Sequence, residues 1–392
     1  MSDTVIVSGA RTPIGKFLGA FADLTAMDLG GHAIAEALRR AGLTGDLIDY
    51  VIMGQVLQAA QGQITARQAA AKAGVPMDVP AITINKVCLS GLNAVHMADT
   101  LLRIGEIEIA VAGGMESMTQ APYAMPKGRT GARMGDAKLV DLMIYDGLWD
   151  AFDHKHMGDG SDTVNQRMGI TRAEQDEWSA RSHERAADAT KAGRLKDEIV
   201  PVEIPQRKGD PLLVEEDEGI RPGTTTESLG KLAPAFQKEG TITAGNASQI
   251  SDGGAAMIVM SADKAKQLGL EPLATVVAHG QVAGPDNSLH LQPANAIRKA
   301  AAKASLDASK LDLYEMNEAF ASVAIASGRE LGVSEDKVNV NGGAVALGHP
   351  IGMSGARLIL TLAQELKRRG GGVGAAALCG GGGQGDALII KV

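Results

Sequence analysis

Two cysteines and one histidine are the residues whose types and settings best suit covalent chemistry. Cys88 lies between an apolar strand pattern and an apolar helix pattern, and this elbow predicts a thiolate favoured by helix N-terminal N–H groups. A cysteine nucleophile needs a base. His349, set in a glycine-rich turn directly before a helix, is the best candidate of the eight histidines. The alternative for Cys88 is a small buried hydrophobic residue.

The second cysteine, Cys379, opens a glycine-rich run over residues 380–385. Backbone N–H groups that no side chain obstructs can form an oxyanion hole or hold phosphate. The alternative is a plain tight turn. The run has neither the Lys-Ser/Thr pair of a Walker A loop nor a G-x-G-x-x-G that opens a helix, so a nucleotide site is disfavoured.

Asn317 is a fourth candidate, because it ends a strand pattern and begins an apolar helix pattern. Such an asparagine can hold a water or an amide donor towards a site, or can cap the helix. His154 and His156 stand two residues apart, but no further ligand cluster accompanies them. No metal is therefore predicted.

The elements that must position these residues alternate between strands and helices, which predicts an α/β fold with a mostly parallel sheet covered by helices. The predicted strands are 4–8, 50–54, 82–87, 107–112 and 255–260, and the predicted helices are 26–41, 68–73 and 88–104. Residues 119–248 are more charged, and a capping-box pattern at Thr171 and Glu174 starts a helix that runs to about Ala192. We interpret 119–248 as a lid inserted into the first domain.

The second half of the chain repeats the first, with Asp49 and Asp312 offset by 263 residues and Ser90 and Ser354 by 264. Two copies of one βα unit should pack about a pseudo-twofold axis. That arrangement brings Cys88, Asn317, His349 and Cys379 to equivalent strand ends, where ligands of α/β proteins bind. The predicted domains are 1–118 with 249–270, the insert 119–248, and 271–392.

Composition narrows the class of protein further. The net charge of −8 argues against a nucleic-acid partner, and the 3% aromatic content argues against base stacking. Two cysteines without a C-x-x-C support neither a zinc site nor a disulfide framework, and suit a cytoplasmic protein. No signal peptide or membrane span is indicated.

Four segments together resemble the thiolase family, in particular its acetyl-CoA acetyltransferase (acetoacetyl-CoA thiolase) branch, over essentially the whole chain. They are Asn85-Lys86-Val87-Cys88-Leu89-Ser90-Gly91, Asn317-Glu318-Ala319-Phe320, Gly348-His349-Pro350 with Gly352 and Ser354-Gly355, and Cys379 with its glycine loop. The start Arg11-Thr12-Pro13-Ile14-Gly15 is also similar. The resemblance implies a duplicated fold of two βα-repeat domains with mixed sheets about a pseudo-twofold axis, plus an inserted CoA-binding loop domain.

The resemblance also implies a ping-pong reaction that joins two acetyl-CoA into acetoacetyl-CoA and CoA, or runs in reverse. Cys88 would attack the acyl-CoA while His349 takes its proton, and Cys379 would remove the α-proton of the second acetyl-CoA. His349 and a water on Asn317 would form one oxyanion hole. The N–H groups of Cys88 and Gly381 would form the other. No cofactor is implied, because CoA is substrate and product.

By the same resemblance the lid binds CoA, with His156 and Met157 on the pantetheine arm and Arg221 at the phosphates. The other implied contacts are Leu148, Phe236, Ala244, Ser248, Ala319 and Phe320. A homodimer or homotetramer is implied, with residues 127–133 in tetramer contacts. One departure is Leu289-His290-Leu291-Gln292-Pro293, where the family often has Met-Gly-x-Gly-Pro, so the pattern does not determine acyl-chain room there.

The same residues also bear on three rival functions. A 3-ketoacyl-CoA thiolase of broader chain length shares every motif above. A ketoacyl-synthase-like condensing enzyme requires a second catalytic histidine where Asn317 stands. A non-catalytic CoA-binding protein has no use for Cys88, His349 and Cys379 together.

Overall fold

Local sequence signals set several helix boundaries in the computed structural model, which describes residues 2–392. Thr25 and Asp28 form a capping box at the start of α1, and Gly42 ends that helix with φ 67°. Thr171 and Glu174 form the predicted capping box of α6. The helices are α1 (Ala26–Ala41), α2 (Thr65–Lys72), α3 (Ser90–Arg103), α4 (Leu142–Gly147), α5 (Met157–Met168), α6 (Arg172–Lys191), α7 (Thr226–Gly230), α8 (Ala262–Gln267), α9 (Gln292–Lys303), α10 (Ala321–Leu331), α11 (Ala344–Leu347) and α12 (Ser354–Arg368).

The strands form one large mixed sheet and three small two-stranded ribbons. They are β1 (Thr4–Arg11), β2 (Gly15–Lys16), β3 (Tyr50–Gly54), β4 (Ala81–Ile84), β5 (Ile109–Ser117), β6 (Tyr123–Ala124), β7 (Val140–Asp141), β8 (Trp149–Asp150), β9 (Lys155–His156), β10 (Val202–Ile204), β11 (Leu212–Val214), β12 (Ser251–Ser261), β13 (Ala274–Ala283), β14 (Leu313–Met316), β15 (Val373–Gly380) and β16 (Gln384–Lys391). The ribbons pair β6 with β7, β8 with β9 and β10 with β11, all within residues 119–248.

The order of the large sheet shows the internal duplication directly. It runs β14-β15-β16-β13-β1-β12-β5-β3-β4, with β2 on β12. Outwards from the junction between β1 and β13, the strands β12, β5 and β3 of the first half correspond to β16, β15 and β14 of the second. The junction itself is short, with Val5 opposite Thr275 and Ile6 opposite Ala274. The predicted duplicated α/β fold is confirmed.

The sheet is mixed, so the expectation of a mostly parallel sheet from strand–helix alternation was wrong. β3 pairs in parallel with β4 and β5, and β14 with β15. β12 and β16 instead run antiparallel to their neighbours. The physical reason lies in the connections: a tight turn joins β15 to β16, and a long insert rather than a crossover helix joins β5 to β12.

Two central helices, α3 and α12, pack on each other and against strands from both halves of the sheet. Leu358, Ile359 and Leu360 of α12 are fully buried, which explains the nearly unbroken apolar run of this helix. Helices α1 and α2 cover the outer face of the first half, and α9 with α10 cover that of the second. The loops that precede α3 and α12 are thereby placed side by side in the middle of the molecule.

The inserted region is attached by buried ion pairs. Arg11 on β1 is fully buried, with Nε 2.8 Å from Glu198 Oε1 and Nη1 2.7 Å from Asp217 Oδ1. Trp178 Nε1 donates to Glu318 Oε1 at 2.9 Å. These contacts hold the insert over the ends of the central strands. The domain division at 119 and 248 stays a prediction.

Strand ends were the least accurate part of the sequence prediction. Predicted strand 107–112 continues as β5 through Gly113 and Gly114 to Ser117, and predicted strand 4–8 continues through Gly9 to Arg11. A Cβ on Gly114 would collide with the carbonyl oxygen of Gly352. The glycine therefore permits close approach between the strand and the His349 loop instead of marking a turn.

Candidate active site

One cavity of about 550 Å³ gathers the predicted site residues. Those that line it are Cys88, Leu148, His156, Met157, Arg221, Phe236, Ala244, Ser248, Ala319, Phe320, His349, Cys379 and Gly381. Asn317 is fully buried behind the wall and contacts the site through His349. The wall combines strand ends from both halves with side chains of the insert, as the duplication and the lid together predict.

Cys88 is held in a tight loop directly before α3. Ser90 Oγ accepts a hydrogen bond from the Lys86 N–H at 2.8 Å and donates to the Val87 carbonyl at 2.6 Å. Val87 has φ 50°, an uncommon conformation for a β-branched residue. The backbone N–H groups of Cys88 and Gly381 both lie against the Cys88 thiol. These are the two donors that the family resemblance implies for an oxyanion hole.

The predicted preference for a thiolate at Cys88 was wrong for the resting protein. Burial raises the pKa of Cys88 to about 12, and the nearby Glu116 carboxylate contributes in the same direction. The two N–H groups lower the pKa but do not offset the loss of water around the sulfur. Cys88 is therefore a neutral thiol that must lose its proton during the reaction.

His349 occupies the turn between α11 and α12, after Gly348 with φ 111°. Its Nδ1 lies 2.6 Å from Ser354 Oγ, and that hydroxyl donates to the Pro350 carbonyl at 2.9 Å. Since the hydroxyl proton is already used, Nδ1 carries the ring proton and Nε2 keeps its lone pair. Asn317 Nδ2 lies 3.3 Å from Nε2 and can donate to it. Burial lowers the pKa of His349 to about 3, so the ring is neutral.

Cys379 is the second-last residue of β15, and the β15–β16 turn follows Gly380. Gly382 and Gly383 adopt φ 78° and 66°, which is the conformation that allows this tight turn. Burial, followed by the neighbouring Cys88, raises the pKa of Cys379 well above its usual range. The site thus contains two neutral thiols and one neutral imidazole, whose Nε2 lone pair is the position that can accept a proton.

Glu116 was missed as a site residue, although its position at the end of β5 was visible in the sequence. Its carboxylate accepts from the N–H groups of Val56 at 2.9 Å, Leu57 at 3.1 Å and Gly352 at 3.0 Å. Burial raises its pKa to about 7. Glu116 therefore links the Gly352 N–H of the His349 loop to the N–H groups of Val56 and Leu57. Its negative charge also lies near Cys88.

The cavity changes from basic at its rim to apolar inside. The exposed residues Lys16 and Arg221 supply positive charge, and Lys16 was not among the predicted residues. His156 stacks on Phe236 at a ring distance of 4.5 Å, and its Nδ1 accepts from the Gly158 N–H at 3.1 Å. The gradient suits a ligand with a charged end and an uncharged reactive end.

The departure at Leu289–Pro293 affects the cavity at one position only. Leu289 lines it and packs in one apolar cluster with Phe320 and Cys379. His290 turns away, with Nε2 2.7 Å from Asn165 Oδ1. Gln292 Nε2 donates to the Gly284 carbonyl at 3.0 Å. Leu289 is therefore the residue of this segment that lines the cavity next to Cys379.

The described residues contain neither a candidate metal cluster nor a candidate membrane-spanning helix. Across residues 2–392, His, Cys, Asp and Glu side chains nowhere gather in groups of three or more that could hold a metal ion. Within the same range, no helix combines the length and apolar character needed to cross a membrane. The prediction of no metal stays a prediction.

A duplicated α/β fold with a cysteine, a histidine and a second cysteine around one cavity defines a thiolase-like protein. Family comparison agrees: the model described as "Thiolase, N-terminal domain" matches residues 4–263, and "Thiolase, C-terminal domain" matches 270–392. The chain belongs to the thiolase family.

Relatives that match this chain over their full length are named as acetyl-CoA acetyltransferases or probable acetyl-CoA acetyltransferases. A probable acetyl-CoA acetyltransferase of Mycolicibacterium smegmatis is 58% identical over 99% of this chain and 100% of its own. The acetyl-CoA acetyltransferase of Pseudomonas aeruginosa is 51% identical over 100% of this chain and 99% of its own. The crystal structure of the Bacillus anthracis acetyl-CoA acetyltransferase superposes with a TM-score of 0.97 at 41% identity, covering 100% of this chain and 99% of that one.

Proposed function

We propose that this chain is an acetyl-CoA C-acetyltransferase, which joins two acetyl-CoA reversibly into acetoacetyl-CoA and CoA. The observation that carries the proposal is the meeting of Cys88, His349 and Cys379 at one cavity, with the Gly381 N–H against the Cys88 thiol. The full-length relatives named acetyl-CoA acetyltransferase support this activity.

In the first half-reaction Cys88 Sγ attacks the thioester carbonyl of acetyl-CoA, and His349 Nε2 accepts the thiol proton. The N–H groups of Cys88 and Gly381 stabilise the oxyanion that forms. The C–S bond to CoA then breaks, and the departing CoA thiolate takes the proton from His349. Acetyl-Cys88 and CoA remain, with His349 neutral again.

In the second half-reaction the Cys379 thiol proton first passes to His349 Nε2, and the Cys379 thiolate then removes an α-proton from a second acetyl-CoA. The carbanion attacks the acetyl-Cys88 carbonyl, and the Cys88–acyl bond breaks. Cys88 leaves as the thiol after taking that stored proton, so both cysteines end protonated. His349, together with a water held by Asn317, stabilises the enolate oxygen.

The insert binds CoA in this proposal. Arg221 and Lys16 at the rim face the phosphates, while His156, Met157 and Phe236 pack on the pantetheine arm. Other wall residues of the insert and the Asn317 loop include Leu148, Ala244, Ser248, Ala319 and Phe320. The positive rim supplies the local charge that a protein with a net charge of −8 needs to bind phosphate.

A short acyl chain is favoured because Leu289, Met157 and Phe320 close the apolar part of the cavity near Cys379. A series of 3-ketoacyl-CoA substrates tests this directly. We expect the thiolysis rate to be highest for acetoacetyl-CoA. A rate that rises with six- and eight-carbon substrates would instead support the 3-ketoacyl-CoA thiolase of broader chain length.

Location and assembly are part of the proposal. Two cysteines that form no disulfide suit the cytoplasm. The segment around residues 127–133 lies beside exposed apolar side chains, with Met134 96% exposed and Tyr123 65% exposed. Such side chains support contact with another copy of the chain in a homotetramer. Sedimentation equilibrium of the protein would measure this state.

A further inference from the structure

A buried ion pair joins the two halves of the fold beside the Cys88 loop. Lys86 Nζ lies 2.8 Å and 2.9 Å from the two carboxylate oxygens of Asp386. The Asp386 side chain is fully buried, and that of Lys86 is 22% exposed. The residues are 300 positions apart, so only tertiary packing brings them together.

Each partner lies next to a reacting cysteine. Lys86 precedes Cys88 by two residues in the strained loop. Asp386 lies on β16 opposite Leu378, one pair along from the position where Gly385 faces Cys379. The ion pair therefore links the loop that carries the proposed nucleophile to the hairpin that carries the proposed base.

Direct contacts between the same two segments depend on their alignment. The Val87 side chain packs over Gly381, where a Cβ would lie 3.5 Å from Val87 Cγ1. Leu89 packs over Gly380, where a Cβ would lie only 2.6 Å from Leu89 Cγ. A small shift of the loop would thus move the Cys88 thiol away from the Gly381 N–H or force a clash.

Apolar contacts resist separation, but they give little directional restraint. The Lys86–Asp386 pair adds a charge-assisted hydrogen bond, which restrains the distance between the two segments more strongly than a neutral contact. Asn93 Nδ2 donates to Asp386 Oδ2 at 3.2 Å and ties the carboxylate to α3 as well. A buried ion pair is a weak source of stability, but loss of one partner leaves an uncompensated buried group.

We infer that Lys86 and Asp386 are positioning residues, which hold the Cys88 thiol against the Gly381 N–H and towards Cys379. The inference rests on the proposed function, because it assigns Cys88 as the acetylated residue. Neither residue lines the cavity. Their loss should therefore slow acyl transfer without weakening the binding of acetyl-CoA at the rim.

The test compares wild type with Lys86→Met, Asp386→Asn and the double variant, by quenched-flow mass spectrometry of acetyl-Cys88. Loss of one oxyanion donor costs about 100- to 1,000-fold, so misplacement of that donor is expected to slow acetylation about 10- to 100-fold. KM for acetyl-CoA should change less than about threefold, because uniform binding is retained. Since either change breaks the same link, the double variant should be no slower than the slower single variant.

Two further variants distinguish a positioning role of the ion pair from a general effect on the stability of the protein. Lys86→Arg keeps the charge and should recover most of the rate. Arg103→Met removes a comparable ion pair at the far end of α3, where Arg103 Nε lies 2.7 Å from Asp99 Oδ1. This control should leave the acetylation rate unchanged.

A second readout does not depend on acetyl transfer. Iodoacetamide labels both thiols, and peptide mass spectrometry measures the ratio of Cys88 to Cys379 labelling. A shift of the thiol away from the Gly381 N–H should lower that ratio about fivefold or more in the variants, because thiolate stabilisation is lost. The ratio tests the inference even in a variant with little activity.

The outcomes distinguish the two proposals. A wild-type protein without acetyl-Cys88 would overturn the proposed function, while the labelling ratio would still decide about the ion pair. Variants that only lower Tm, with acetylation rate and labelling ratio unchanged, would overturn the positioning role. Losses that add up in the double variant would overturn it too.

Discussion

Ser354 Oγ lies 2.6 Å from His349 Nδ1, and the same hydroxyl donates to the Pro350 carbonyl. These two contacts place the ring proton on Nδ1 and leave the lone pair on Nε2, where a proton can be accepted. Ser354 thus fixes the tautomer of the neutral His349 ring, so that Nε2 is the nitrogen that can act as a base.

We expect Ser354→Ala to slow acetylation of Cys88 on the order of 10- to 100-fold, because the base remains but its tautomer is no longer set. Burst kinetics with acetyl-CoA measure the rate. Ser327→Ala is the matched control. Ser327 Oγ donates to the His290 carbonyl at 2.7 Å, and neither residue lines the cavity. Equal effects in the two variants would contradict the role of Ser354.

The two cysteines should separate the half-reactions. Cys88→Ala should abolish both acetyl-enzyme formation and condensation, because no nucleophile remains. Cys379→Ala should still form acetyl-Cys88 but lose condensation by about 1,000-fold or more, since general acid–base catalysis contributes about 100- to 10,000-fold. Acetyl-peptide mass and acetoacetyl-CoA production are the two measurements. An acetyl group found on Cys379 in wild type would reverse the assignment.

Labelling of Cys88 should follow the raised pKa of about 12. Below a pKa the thiolate fraction rises about tenfold for each pH unit, so the iodoacetamide rate should climb from pH 6 to pH 10 without a plateau. Peptide mass spectrometry at each pH gives the rate for this residue alone. A plateau near neutral pH would show a resting thiolate and restore the expectation from the sequence.

Glu116→Gln tests the buried carboxyl of the His349 loop. Burial raises the pKa of Glu116 from 4.5 to about 7, so the folded state binds a proton that the unfolded state has lost. Wild-type stability relative to the variant should therefore fall as pH rises from about 4.5 to 7, by at most about 3 kcal/mol. Urea unfolding at pH 5, 6, 7 and 8 measures the difference. A difference that does not change with pH would contradict the raised pKa.

Leu289→Ala should widen the acyl pocket beside Cys379. We expect thiolysis of the six-carbon substrate to rise about tenfold relative to acetoacetyl-CoA, the discrimination typical of one or two methylene groups. Val323→Ala is the control, because Val323 belongs to the same apolar cluster but does not line the cavity. An equal shift in the control would show that loosened packing, and not Leu289, changes the preference.

The sequence by itself determined the fold class and the duplication, and it predicted the reacting residues. The signals used were local or periodic: the capping boxes at α1 and α6, the order of the motifs and the 263-residue repeat. Such signals can be recognised in the sequence alone. The predicted wall of the cavity followed from the same motifs. The direction of the strands could not be predicted in this way, because the alternation of strands and helices does not show how the chain returns to the sheet after a long insert.

Only the tertiary structure decided the protonation of the site and its fine alignment. The pKa values of Cys88 and His349 depend on how completely packing removes water, which no local pattern contains. Leu289 reaches the cavity while His290 does not, and Lys86 meets Asp386 across 300 residues. Burial and long-range contact are properties of the packed chain, so the sequence names the candidate reacting groups and the fold sets their charge and position.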